Sequence, residues 1–159
     1  MQQNKYTMRR KDREMDRNFA LMVADKCEYA HLAMTGPDGE PYCIPLSIAL
    51  DGETIYFHCA KEGRKVDALK ANPAVCMSCV GSTQRATDMF TTEFESAVIF
   101  GTASEVLEDD EKIHALKLIC ERHTPANRHA FEAAISKSLD RTAVWKIEIA
   151  EITGKKKTL

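Results

Sequence analysis

Two tight turn signals constrain this chain more than any other feature. Gly36-Pro37-Asp38-Gly39 follows the apolar run at 29–35, and Asp51-Gly52 separates residues 41–50 from 54–60. Gly and Pro punctuate the backbone, and a two-residue Asp-Gly link is a hairpin signal. Three short strands therefore stand almost end to end. Parallel neighbours need long crossovers, and these turns leave no room for them. The order reads as a helix followed by a three-stranded antiparallel meander. Pro45 falls inside the second strand and removes a ladder donor, so a bulge or a sheet edge belongs there.

The remaining pattern extends this frame. Met15, Phe19, Met22 and Val23 recur at helical spacing behind the charged opening at 9–17, and predict a core-facing helix that frays near Cys27-Glu28. Residues 63–72 predict a short helix, with Val66 and Leu69 three apart, stopped by Asn72-Pro73. A strand is expected at 75–80, then a polar loop at 81–92 long enough to suggest function, then a strand at 95–106 interrupted by Gly101. Residues 109–122 predict a helix with Ile113, Leu116 and Cys120 on one stripe and acids in its first turn. Thr124-Pro125 suits the N-cap and N1 of a further helix running to Ser138. The clearest strand is the last, where Ala143, Trp145, Ile147 and Ile149 alternate with Val144, Lys146 and Glu148. Five or six strands with flanking helices predict a mainly β domain over 1–159, an antiparallel barrel that closes on itself. An N-terminal arm is expected at 1–12 and a helical insertion at 109–138.

Charge and composition narrow the partners. The 159 residues carry 22 basic and 24 acidic side chains, a formal net charge of −2, so the overall charge shows no nucleic-acid footprint. The longest apolar candidate, Ala97-Val98-Ile99-Phe100, is far short of the roughly 20 residues of a membrane helix. No apolar segment backs the basic cluster at the N-terminus, so a cytoplasmic chain without nucleic-acid or membrane partners is expected. Its six cysteines are then expected as reduced thiols. Cys76 and Cys79 form a C-x-x-C on a strand, where residues three apart point to opposite faces, and no second pair completes a zinc site. His31 is isolated, and His114, His123 and His129 lack ligand spacing, so no metal is expected.

The stretch richest in chemistry is Ile55-Tyr56-Phe57-His58-Cys59-Ala60-Lys61-Glu62-Gly63-Arg64-Lys65. A strand ends there and a basic turn opens a helix. Free N–H groups and a positive dipole end suit a helix N-terminus to phosphate. Lys61, Arg64 and Lys65 add full charges, with Arg64 able to bind bidentately. Composition alone leaves open whether this is a phosphate site or a solvated basic turn. Alternation puts Tyr56, His58 and Ala60 on one face and Ile55, Phe57 and Cys59 on the better core face, so His58 lines a cleft or interface, or is a hydrogen-bonded structural histidine. No Ser-His-Asp order, H-E-x-x-H or Walker loop occurs.

Three segments together resemble a known family. Pro45-Leu46-Ser47, the Tyr56–Lys65 stretch and Phe94-Glu95-Ser96-Ala97-Val98-Ile99-Phe100-Gly101 are similar to the flavin-binding split barrels, the pyridoxamine 5′-phosphate oxidase-like proteins. Met8-Arg9-Arg10-Lys11-Asp12-Arg13-Glu14 and Ile152-Thr153-Gly154-Lys155 resemble its 5-nitroimidazole-resistance branch. The resemblance implies an antiparallel FMN-binding split barrel and a homodimer with FMN at the interface. It implies that Arg64 and Lys65, with Lys61 beside them, hold the FMN phosphate. His58 and Cys59, followed by Ala60, would touch the flavin at the strand end. Pro45, Leu46, Ser47 and Ile48 would run their backbone along the isoalloxazine. Ser96 stands where the oxidases place a glutamine facing the ring, and serine is shorter. His58 matches the reactive histidine of the resistance branch.

The chain departs from the oxidases in lacking a C-terminal Arg-x-His pattern, so oxidation of pyridoxamine phosphate is not expected. The resemblance implies an FMN-dependent reductase passing electrons to a small flat acceptor such as a nitroaromatic or nitroimidazole. The alternatives are a flavin-binding or electron-transfer protein without its own turnover, and a haem-binding split barrel with a histidine as axial ligand.

Overall fold

Both turn signals close hairpins in the computed structural model, which describes residues 7–159. Residues 1–6, half of the expected arm, lie outside the described residues. Strand β1 (Glu14–Met15) precedes helix α1 (Arg17–Lys26), whose N-cap Asp16 accepts a hydrogen bond from the Phe19 amide at 2.8 Å. The first hairpin pairs β2 (Ala30–Thr35) with β3 (Pro41–Leu46), and the second pairs β4 (Ala49–Asp51) with β5 (Thr54–Ala60). Helix α2 (Arg64–Ala71) follows, then β6 (Ala74–Ala86) and β7 (Thr91–Glu105). Helices α3 (Asp109–His123) and α4 (Phe131–Ser138) fill the interval before β8 (Thr142–Lys157).

All eight strands join one sheet, and every pairing among the described residues is antiparallel. The order is β3-β2-β6-β7-β8-β5-β4, with β1 on β8. The expected meander is therefore corrected. Residues 41–50 are not one strand: the chain leaves the ladder at Ser47-Ile48, so β3 and β4 form opposite edges of the sheet. Only Ser47 and Ile48 connect those edges. Three Cα steps of about 3.8 Å bridge at most about 11 Å, so the sheet must curl until its edges nearly meet. They are not hydrogen-bonded to each other, and the barrel is split rather than closed. Pro45, paired with His31, sits on an edge as its missing N–H requires.

The core lies inside the curl. Leu32, Ile48, Ile55, Phe57, Leu69, Met77, Ile99 and Ile147 are fully buried there. A smaller cluster, Tyr56, Val106, Ala115 and Val144, sits on the outer side of β5 and β8 under α3. Gly101 marks a close approach: a Cβ there would stand 2.4 Å from the Glu148 carbonyl oxygen, beside the register shift in the β7–β8 ladder.

Four further expectations change. Met15 belongs to β1 and pairs with Gly154, and Met22 is exposed; Ala20, Val23 and Ala24 carry the buried face of α1. The polar loop at 81–92 is a hairpin arm, because β6 and β7 stay paired to Ala86 and Thr91 past a register shift between Val80 and Thr83. Neither face of that arm is deeply buried, which explains its polar composition. The buried stripe of α3 is Lys112, Ala115 and Ile119, one residue round from the expected one, because Lys112 donates to the Leu139 carbonyl at 3.1 Å and lays its stem inward. Thr124 makes no side-chain cap; its hydroxyl turns back to the Cys120 carbonyl, and Pro125–Ala130 forms 3-10 turns before α4 begins.

Candidate functional site

Three cations, Lys61, Arg64 and Lys65, follow the end of β5 beside the split between β3 and β5. Strand β5 ends at His58, Cys59 and Ala60, paired with Val144, Ala143 and Thr142 of β8. The chain then turns through Lys61 and Glu62 to Gly63, the N-cap of α2. Gly63 has φ 121° and ψ 169°, a region open essentially to glycine alone. This backbone lets the first turn of α2 follow the strand at once, and Val66, Ala68 and Leu69 bury the other side of the helix in the core.

Arg64 and Lys65 consequently reach opposite banks of the split. The Arg64 guanidinium lies 4.7 Å from the Tyr42 ring centroid on β3, with Glu40 at 4.0 Å. The Lys65 ammonium lies 5.8 Å from the Phe57 ring on β5. Lys65 and Lys61 have no carboxylate partner among the described residues. Lys65 is close enough to act on both neighbours at the strand end. The His58 imidazolium is disfavoured by burial first, then by Lys65 and by His123, so its pKa lies below the ordinary value. Burial pushes the Cys59 thiol up, against the pull of Lys65.

The opposite bank is the edge strand and crossover. An edge strand leaves alternate N–H and C=O groups unpaired, and Pro45 and Ser47 are exposed there while Leu46 and Ile48 are buried. The Ile48 carbonyl is already occupied. It accepts from Arg122 Nη1 and from His123 Nε2, both at 2.7 Å. Arg122 also donates through Nη2 to the carbonyls of Ala24 at 3.1 Å and Cys27 at 2.7 Å. One guanidinium thus ties the end of α1 to the β3–β4 crossover. Arg122 also stands 3.8 Å from the Cys27 sulfur. The Cys27 thiol is lowered to about 7, first by its hydrogen bond with the Cys79 thiol and also by Arg122, against burial; the same pairing pushes Cys79 up.

Pro45, Leu46, Ser47 and Ile48 lie at the end of β3 and in the crossover, and His58, Cys59, Ala60, Lys61 and Lys65 lie at the end of β5 and the start of α2, from where Arg64 reaches across to Tyr42 of β3. The structure does not bring Ser96 to them. Ser96 lies on β7 between Val80 and Lys155, eleven residues along β8 from the Val144 partner of His58, about 36 Å of strand contour at ~3.3 Å per residue. The sequence does not mark Arg122 and His123 as site residues; their only signal is a pair of basic residues in a last helical turn. No cluster of metal-ligating side chains occurs among the described residues. All six cysteines are free, and Cys79 is buried while Cys76 is half-buried on the other face.

A split antiparallel barrel with basic residues beside its open seam defines a recognisable class. The chain belongs to the pyridoxamine 5′-phosphate oxidase family, whose model matches residues 17–156. Solved structures share the fold. One is a Bacteroides thetaiotaomicron protein proposed to act in 5-nitroimidazole antibiotic resistance, at 22% identity over 89% of this chain and 85% of that one, TM-score 0.73. A flavocytochrome from Azotobacter vinelandii matches at 21% identity over 97% and 73% of the two chains, TM-score 0.82. An FAD- and haem-binding protein from Mycobacterium smegmatis matches at 20% identity over 92% and 74%, TM-score 0.78. No curated protein sequence matches significantly.

Proposed function

We propose that the chain is an FMN-dependent oxidoreductase that works as a homodimer and reduces small flat acceptors of the nitroaromatic or nitroimidazole type. The observation that carries this reading is the seam: Arg64 and Lys65 flank a helix N-terminus and face opposite banks of an open barrel edge. A phosphate placed there meets two full charges, the free amides of α2 and Lys61. The edge backbone at Pro45 and Ser47 would lie along the ring system. Ile48 serves by position rather than by contact, since its carbonyl is filled by Arg122 and His123. Ser96 is too far from this seam to serve the same chain's flavin, and it faces a flavin only if a second copy supplies one.

FMN supplies the electron transfer when bound. The chain's own residues bind it, orient it and manage protons. His58 stands at the seam with its charged form disfavoured, so the free protein holds it neutral near pH 7. Its side chain is exposed on β5, so it is accessible to an acceptor that needs a proton.

The test is the absorption spectrum of the purified protein after incubation with FMN, combined with flavin fluorescence titration. Oxidised-flavin bands, quenched fluorescence and reduction of a nitroaromatic by the reduced holoprotein support the reading. A Soret band without flavin uptake overturns it in favour of haem. Flavin uptake with no turnover of any nitro compound reduces it to a flavin carrier.

A further inference from the structure

Beside the seam, α3, the 3-10 turns and α4 border a second feature, which shares only His58 with the proposed flavin site. It is a pocket of about 370 Å3, with His58 at one wall and Leu116, Ile119, Phe131 and Ile135 on the others. Segment 125–141 contributes no buried residue to the fold, although α4 carries Phe131, Ala134 and Ile135 on its pocket side. Leu116 and Cys120 belong to the apolar stripe expected to enter the core, and they face this cavity instead. Apolar side chains facing a void forfeit dispersion contacts that an occupant would restore.

The polar groups limit what that occupant is. Among the described residues no Lys, Arg, Asp or Glu lines the pocket. The hydroxyls of Thr124, Ser138 and Thr142 donate their protons to the Cys120, Ala134 and Ser138 carbonyls and offer the pocket acceptor lone pairs only. His58 and Asn127 are the lining side chains whose hydrogen-bonding atoms have no partner among the described residues. Such a wall penalises an unpaired charge and accepts a flat apolar body with a polar group at its edge. A cavity of about 150 Å3 is enough for benzene, so this one accommodates a substituted one- or two-ring compound.

We propose that this pocket binds small uncharged aromatic molecules and holds the acceptor of the oxidoreductase. It rests on the flavoenzyme reading for the acceptor role, though not for the binding. Its specificity comes from the helical insertion, and His58 is the group shared with the seam.

The experiment uses the full chain with 4-fluoronitrobenzene as probe, followed by fluorine NMR, with nitrobenzene and benzoate as competitors. Ala134→Trp fills the cavity from the exposed wall of α4, and Ile135→Asn makes the wall polar without adding bulk; circular dichroism checks that both fold. The expected result is saturable binding, displacement by nitrobenzene and not by benzoate, and at least tenfold weaker binding in both variants at unchanged FMN affinity. Absence of saturable binding, undiminished binding in folded Ala134→Trp, or displacement by benzoate overturns the proposal. A chain that takes up no FMN yet binds the ring at this pocket overturns the flavoenzyme reading and leaves the pocket standing; FMN uptake without ring binding does the reverse.

Discussion

Lys65 stands between the barrel core and the seam, and its charge is felt by His58 and Cys59. A charge-assisted bond is worth roughly 1.5–3 kcal/mol, and 1.4 kcal/mol is about tenfold. Replacing both Arg64 and Lys65 by Ala should therefore weaken FMN by about two to four orders of magnitude. Riboflavin, which lacks the phosphate, should respond little, and fold stability should barely change because exposed charges contribute little to it. Fluorescence titration of both flavins reads the difference; parallel losses for the two would move the phosphate elsewhere. His58 supplies a second test with a definite sign. Burial, Lys65 and His123 hold its pKa below 6.5, so an unfolded chain takes up that proton first and the free protein loses stability as pH falls below the ordinary value. A phosphate dianion beside Lys65 cancels the repulsion. The His58 pKa followed by NMR should thus be higher with FMN than with riboflavin, which buries the ring equally without the charge. If His58 gives up a proton in turnover, the reduction rate falls as pH rises through that pKa. His58→Ala should slow nitroaromatic reduction and leave FMN bound.

At the scale of elements, α3 ties the β3–β4 crossover to the end of α1. Arg122→Ala removes donors to the carbonyls of Ala24, Cys27 and Ile48 and should cost about 2–3 kcal/mol, given roughly 1–3 kcal/mol for a buried group left unsatisfied. His123→Ala, which removes a single bond to Ile48, should cost about 1 kcal/mol. Urea denaturation separates the two, and equal values would show that the guanidinium is not the tie. Gly101→Ala drives a methyl against the Glu148 carbonyl and should cost about 1–3 kcal/mol by overpacking in the same measurement. These elements also show what the sequence makes legible. β5 and the stop of α2 at Asn72 follow from local chemistry, a period-two pattern and a proline, and the structure places them where the sequence does. The basic turn is legible for the same reason: Gly63, Arg64 and Lys65 are consecutive. The break at Ser47-Ile48 is not legible, because apolar residues stand on both sides of the single polar Ser47 and the contact that holds the crossover is with Arg122, 74 positions away. The 81–92 arm reads as a loop because strand patterning reports burial, and this hairpin buries neither face. The one-residue rotation of α3 is invisible for the opposite reason, since Lys112 carries a polar letter and a buried stem.

For the whole molecule, the curl of the sheet brings its two edges close along the seam proposed to hold the flavin and leaves an outward face half covered. Val80, Val98 and Phe100 lie there beside Ser96, with Val80 and Phe100 exposed. If a second copy covers that face, each flavin is held by two chains, and three quantities become linked. FMN at a hundred times its dissociation constant stabilises the folded state by about 2.7 kcal/mol. In a domain of this size 1 kcal/mol moves the midpoint by roughly 2–4 °C, so FMN should raise Tm by about 5–10 °C. Riboflavin at the same concentration should raise it less, since Arg64 and Lys65 have no phosphate to hold. The dimer adds a condition that a monomeric site cannot reproduce: diluting the protein below its dimer dissociation constant should weaken FMN and lower the holoprotein's Tm together. Sedimentation velocity over a hundredfold range of concentration, run with and without FMN, reads the association directly. A species of twice 17.8 kDa that FMN strengthens is the expected outcome. A monomer that binds FMN with the same affinity at every concentration would place the whole site within one chain and return Ser96 to a structural role.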